Sequence, residues 1–379
     1  MRWARKSGLP ILASLLVLSA PPARAFDGDL EGRAIGESFY VFDSPPDFQN
    51  FDSELELRLG VLGNAWQGEE WRVDYELSGD LKLADGPSVQ SGLKDDVDAD
   101  FFRAWLRLDN GPFKIRGGRQ KILFGSGAIF RPLGFFDTRD VTGVVPQTRG
   151  VDSVRSTYFF DETTLLEGWL VPAKEGSGVI AGLRGETLVL GAEAGWVAQY
   201  HPRTSLDDLP DFSEELLQLG YHFKGESHVG FWNESRLDIE AGVEGSPLRF
   251  ASVLGVDYTF DVGEGLHVLA EYFFSTQEPG FTLKDFQGDR TLHQFALGLD
   301  QPVGIAIVWR LFAIVDFRDG SFQVRPQIEY AVTDLLYAYL SGGIGGNLNG
   351  NDEPGRLYQE TPVFNGTESN IGVTLVAYF

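Results

Sequence analysis

Ile371-Gly372-Val373-Thr374-Leu375-Val376-Ala377-Tyr378-Phe379 alternates apolar residues with small or polar ones and stops on an aromatic ring. Chain ends are usually polar and frayed. Alternation carried up to a terminal Phe suits a strand that keeps one face in lipid and the other in water, as the closing strand of a transmembrane β-barrel must. An ordinary buried edge strand would show the same period. The rest of the chain has to separate the two.

The N-terminal residues point the same way. Arg2, Arg5 and Lys6 precede an apolar stretch from Leu9 to Ala20 and an Ala23-Arg24-Ala25 cleavage pattern. The stretch is too short to span a bilayer, so residues 1–25 read as a secretory signal peptide, with cleavage expected before Phe26 and export through the general secretory pathway. Residues 26–379 then form one domain. Beyond residue 25 no apolar run reaches the length of a membrane helix, yet the chain is 43% hydrophobic and holds 29 Phe, 12 Tyr and 8 Trp. A barrel needs apolar residues only at every second position. Cys is absent and the single Met is the first residue, which leaves no disulfide framework, Cys-ligated metal or thiol chemistry. The formal charge of −24 becomes about −28 once the four basic residues of the signal are removed, and such acidity argues against nucleic acid as a partner.

Period-two segments recur along the whole chain. Leu55, Leu57, Leu59 and Val61 alternate with Glu54, Glu56, Arg58 and Gly60; Phe322, Val324, Ile328 and Tyr330 oppose Gln323, Arg325, Gln327 and Glu329. Short turns are expected at 109–112, 161–163, 225–227, Gln301-Pro302-Val303 and 333–334. Longer connections are expected at 84–99, 124–150, 199–213, 276–290 and 346–367. Short and long connections alternate, as in outer-membrane barrels with short periplasmic turns and long external loops. With a first strand near 34–42 the count is about 18 strands, or 16 if the short segments near 164–185 are not strands. The expected fold is an all-β, closed antiparallel transmembrane barrel, wide enough to enclose water. A water-soluble β-sandwich is the competing architecture.

Charge is segregated. Residues 101–155 hold ten basic residues against four acids, while the other 21 basic residues face 51 acids. Arg103, Arg107, Lys114 and Arg116 fall on the polar phase of their strands and are expected to line the lumen, since a cation facing lipid at the midplane costs ~2–4 kcal/mol. Arg119 has the opposite phase, so a β-bulge at Gly117-Gly118 is expected to turn it inward. The long loop 124–150 carries Arg131, Arg139 and Arg149 and is expected to fold into the lumen and narrow it; loops of that length are usually functional. Asp152 and Arg155 follow it. These cations would draw anions and set selectivity. The competing reading pairs them with lumen acids and lipopolysaccharide phosphates as purely structural ion pairs.

Gly118-Arg119-Gln120, the Gly125-Ser126-Gly127 triplet, Phe130, Pro132 and the run Arg149-Gly150-Val151-Asp152-Ser153-Val154-Arg155 resemble the GRQ…GSG…RxxDxxR pattern of alginate-export-type outer-membrane porins. The resemblance covers roughly residues 100–160. It implies an 18-stranded barrel with an Arg-rich lumen, and places Arg119, Asp152 and Arg155 on the inner wall near a constriction. It does not imply alginate as the solute. The terminal Phe379 also resembles the C-terminal signature read by the barrel-assembly machinery.

Other signals are weak. None of the five His sits in a metal motif, and His222 and His228 flank a turn, so no metal or cofactor is expected. Residues 342–352 are Gly-rich but lack the Lys and helix of a phosphate loop. Tyr330, Tyr337, Tyr339, Tyr378 and Trp309 are expected at the lipid interfaces, and Trp105 and Trp232 could stack sugars inside. The function expected is passive passage of a hydrophilic, anionic solute, small or polymeric, without catalysis. The expected partners are outer-membrane lipid, lipopolysaccharide, the assembly machinery and the solute. A barrel serving as sleeve for a secretion or electron-transfer partner, and a barrel enzyme, are the alternatives.

Overall fold

The structure is a computed structural model that describes residues 28–42, 50–86, 96–139, 141, 143–173, 178–202, 215–241, 248–276, 291–318, 320–348 and 369–379. The signal segment and most of the expected long connections, 84–99, 199–213, 276–290 and 346–367, therefore lie wholly or largely outside the described residues. Eighteen strands follow in order: β1 (Gly28–Val41), β2 (Phe51–Gln67), β3 (Arg72–Asp85), β4 (Val97–Asp109), β5 (Phe113–Gln120), β6 (Val151–Phe159), β7 (Leu165–Pro172), β8 (Val179–Val189), β9 (Ala192–His201), β10 (Glu215–Glu226), β11 (Gly230–Ala241), β12 (Leu248–Phe260), β13 (Leu266–Thr276), β14 (Thr291–Val303), β15 (Ile307–Asp316), β16 (Ser321–Thr333), β17 (Leu336–Asn347) and β18 (Asn370–Tyr378). Each pairs antiparallel with its chain neighbours, and β1 pairs with β18 from Arg33↔Tyr378 to Val41↔Asn370, which closes the ring. Closure leaves no strand edge unpaired. Among the described residues there is no helix. The count of 18 stands against 16 because both β7 and β8 are strands.

The closing strand behaves as its alternation requires. Ile371 and Val373 are exposed on the outer face, whereas Gly372, Thr374 and Val376 are buried on the inner one. The Phe379 backbone exchanges hydrogen bonds with Gly32, at 2.7 and 3.0 Å, and its ring lies where a Gly32 side chain would stand. The outer wall is apolar all the way round, with Leu106 at 59% and Leu254 at 58% exposure among many others. Residues of the opposite phase are charged: Arg33 meets Glu56, Arg58 meets Asp80, and Arg107 meets Asp74. That distribution is the inverse of a two-layer core and fits lipid outside and water inside.

Three expectations need correction. Gln301-Pro302-Val303 is not a turn: Pro302 pairs with Val308 inside the β14–β15 ladder, and the reversal falls on 304–306, where Gly304 supplies the positive φ of 63°. No bulge interrupts β5, which pairs without a shift through Gly117 and Gly118 on both sides. The register shift lies on the neighbouring strand, opposite Ser78 and Gly79, and it turns Phe102 inward beneath the guanidinium groups of Arg58 and Arg103, at 3.1 and 3.9 Å from the ring centre. Gly118 bends the chain instead, at φ 115°, where a Cβ would lie 2.2 Å from the Ala104 carbonyl. Of the aromatics expected in lipid, Trp309 and Tyr330 share the outer phase with Ile328. Tyr337, Tyr339 and Tyr378 have the inner phase, and Tyr339 is only 7% exposed beside Glu329.

Candidate functional site: an arginine row beside an inward-folded segment

After Gln120 the chain leaves the wall and crosses the interior. Its touch points lie on the far strands, which can be reached only through the lumen. Glu234 of β11 accepts hydrogen bonds from the backbone N–H groups of Gly127, at 2.8 Å, and Leu133. Glu271 of β13 accepts from Ala128, Ile129 and Phe130 at 2.7, 3.0 and 2.8 Å, and from the Trp232 indole at 2.7 Å. Arg236 donates to the Pro132 carbonyl at 2.8 Å. Successive N–H groups converging on a carboxylate make an anion-binding nest, here filled by the protein's own acids. Gly125 makes the wrap possible: its φ is 98°, and a Cβ there would lie 2.4 Å from Glu234 Oε2. Apolar contacts complete the seat. Leu133, Ile122 and Phe136 pack with Trp169, Val171, Ile180 and Val197, and Ile129 and Phe130 pack with Val253, Ala296 and Ile314. Phe130 stacks on Phe273 with ring centres 4.9 Å apart.

The wall that the segment leaves carries the cations. Arg107, Arg116 and Arg155 face one another across β4, β5 and β6 in a single cross-strand row. Opposed residues on one face have Cβ atoms ~5 Å apart, and like charges so placed repel. The outer two are neutralised: Arg107 bonds Asp74 at 2.7 Å and Arg155 reaches Glu167 at 2.6 Å. Arg116 has no carboxylate within ion-pair distance among the described residues. Its guanidinium lies 4.1 Å from the Trp105 ring centre, a cation–π seat, and Glu76 and Glu167 act on it only from beyond ion-pair distance. Arg103 is similar in that it donates to carbonyls, those of Phe102 and Thr148, both at 2.7 Å.

The remaining expected site residues are dispersed. Lys114 sits toward the short-turn end beside Asp109 at 3.6 Å. Arg131 and Arg139 both turn to Asp137 within the inward segment. Arg119 and Asp152 pair at 3.2 Å, out of phase with the arginine row, and Arg119 also holds Asp100. Arg149 approaches Asp98 at 3.8 Å. These five border a cavity of about 330 Å³ where β5 ends and the chain turns in. Inner cations not singled out from the sequence include Arg58, bonded to Asp80, and Arg184, bridging Glu167 and Glu186. Glu234 and Glu271 were not singled out either; alternation marks them as inward but says nothing of what they hold. Of the two tryptophans expected to stack sugars, Trp232 is spent on Glu271 and 5% exposed, and Trp105 bonds Glu76 at 2.8 Å beneath Arg116, so neither offers a bare face for a sugar.

The chain matches no protein-family model and no curated protein. Among solved structures it is similar to a mutant of the Rh. blastica porin, with 12% identity, 93% of this chain and 100% of that chain covered, and a TM-score of 0.51. It is similar to Pseudomonas aeruginosa OccK5 (OpdH), at 9% identity, coverages of 93% and 97%, and a TM-score of 0.56. It is also similar to Salmonella typhi OmpF, in a complex with daunomycin, at 11% identity, coverages of 93% and 97%, and a TM-score of 0.50. Identities this low speak to the barrel fold.

Proposed function

We propose that the protein is an outer-membrane channel through which hydrophilic solutes, preferentially anions, pass down their gradients, and that it is not an enzyme. The observation that carries this reading is Arg116: a cation between two other arginines on the inner face, without a carboxylate of its own. Packing three arginines in register costs stability, and the cost makes sense if a passing anion supplies the missing negative charge. The segment after β5 is the constriction, because it is tied across the lumen at the level of that row. The porin likenesses and the apolar outer wall support the membrane setting, and the resemblance of residues 118–155 to alginate-export-type porins supports an Arg-rich lumen. In this reading residues 1–25 direct export, Phe379 engages the assembly machinery, and exposed cations outside the row meet lipopolysaccharide. The test is a planar-bilayer recording in a KCl gradient. A reversal potential on the chloride side that moves toward potassium in Arg116→Gln supports the proposal; a cation-selective or non-conducting barrel overturns it.

A further inference from the structure

On the inner face of β8, β9 and β10, Glu186, Glu193 and His222 converge, their ligand atoms all within 4.8 Å of one another. The fold places them around one point. Gly195 lies directly opposite Glu186 on one side and His222 on the other, and Glu193 is the next residue of the same phase on β9. His222 is buried, at 5% exposure. Its Nδ1 lies 2.9 Å from Ser126 Oγ, at the tip of the inward segment, and its Nε2 lies 3.8 Å from Glu186 Oε2. A Cβ on Gly195 would stand 2.0 Å from Nε2 and 2.7 and 2.9 Å from the two ring carbons beside it. The missing side chain lets the imidazole lie directly against the β9 backbone, within reach of both acids: Glu193 Oε1 lies 3.7 Å from its Nδ1.

We propose that this cluster binds a divalent transition metal of the zinc type, held by His222, Glu186 and Glu193. Donors bonded at ~2.0–2.2 Å around a tetrahedral ion stand ~3.3 Å apart, so the three groups draw in by about 1.5 Å at most and the imidazole turns one of its nitrogens to the ion. The Ser126 hydroxyl, 2.9 Å from Nδ1, orients the ring from the inward segment. Imidazole with two carboxylates selects zinc-type ions over magnesium or calcium, which take oxygen. Arg184 donates to Glu186 Oε2 at 2.9 Å and Lys224 stands opposite Glu193, so the ion shares these acids with them. The bound ion ties the tip of the inward segment, through Ser126 and His222, to a third place on the wall. Zinc binding is independent of whether the barrel conducts.

The purified, EDTA-stripped barrel is titrated with ZnCl2 by equilibrium dialysis, with MgCl2 in excess to fill ordinary surface carboxylates. One zinc per chain resistant to magnesium is expected. Glu193→Gln, at a partly exposed position, and Gly195→Ala, whose Cβ pushes the His222 ring out of the cluster, should each weaken it at least tenfold. Ser126→Ala should keep the stoichiometry at reduced affinity. Heat-modified electrophoretic mobility confirms that each variant is a folded barrel. Absence of a magnesium-resistant zinc, or equal affinity in wild type, Glu193→Gln and Gly195→Ala, overturns the proposal.

Discussion

Glu271 offers the sharpest test of how the inward segment is held. Its carboxylate accepts four N–H groups, from Ala128, Ile129, Phe130 and Trp232, at 2.7–3.0 Å. Glu271→Ala strips all four donors of their acceptor. An unsatisfied buried donor costs ~1–3 kcal/mol, and the cavity created admits some water, so the low end applies and the docked tip loses about 4 kcal/mol. The barrel itself loses little, because its ladder is backbone and Glu271 contributes only a side chain. Leu133, at 1% exposure, and the two bonds to Glu234 remain, so the segment stays attached at 131–137 while the tip at 128–130 detaches. Single-channel conductance should rise and become noisier, and chymotrypsin should cut after Phe130, buried in the docked tip, in the folded barrel. Glu234→Ala combined with Glu271→Ala should enlarge both effects. If the double variant folds, keeps the wild-type conductance and resists chymotrypsin equally, the carboxylates do not hold the segment, and it does not narrow the lumen.

Three other outcomes follow from the same geometry. Arg116→Glu changes the row by two charges; at ~5 Å in water-like surroundings this is ~1.5 kcal/mol, about tenfold in the anion-to-cation permeability ratio read from reversal potentials, whereas Arg119→Gln with Asp152→Asn leaves net charge unchanged and should leave the ratio unchanged. Gly125→Ala forces a Cβ into the left-handed region and against Glu234 Oε2, so it should reproduce part of the tip release, again read as chymotrypsin cutting and current noise. Leu106→Arg, on the outer wall, should cost ~2–4 kcal/mol in urea refolding into lipid vesicles, while Leu106→Phe should be nearly neutral.

The wall was legible in the sequence because a barrel strand declares itself by its own alternation. Leu254, Val256 and Tyr258 lie outward and Asp257 inward as period two requires, and the short turn after Asp109 is where Asn110 and Gly111 put it. Errors arose where a local rule met a non-local one. Pro302 suggested a turn, yet proline is tolerated where its ladder position needs no N–H. Arg119 suggested a bulge at its own glycines, but the register shift that accommodates its surroundings was placed on β4, a strand away. Inwardness of Arg107, Arg116 and Arg155 was readable one strand at a time; that they stand in one row depends on two registers that no single segment encodes. The anchors lie further apart still: Gly127 and Glu234 are separated by 107 positions, and Ser126 and His222 by 96.

The short fifth strand ties these features together. β5 has 8 residues, against 13 in β4, so the wall is low where Gly118 bends and the chain turns inward. That early exit brings the start of the inward segment to the arginine row, where Arg155 holds the Lys121 carbonyl at 3.3 Å, and Arg103 holds the Thr148 carbonyl on the returning limb at 2.7 Å. The arginine row and the segment are therefore one construction, with the cations on the near wall and the two carboxylate nests on the far wall. In this arrangement the far wall's acids are spent on backbone N–H groups, while the near wall keeps Arg116 unspent. The near wall of the lumen can thus carry a positive face although the net charge of the chain is −24.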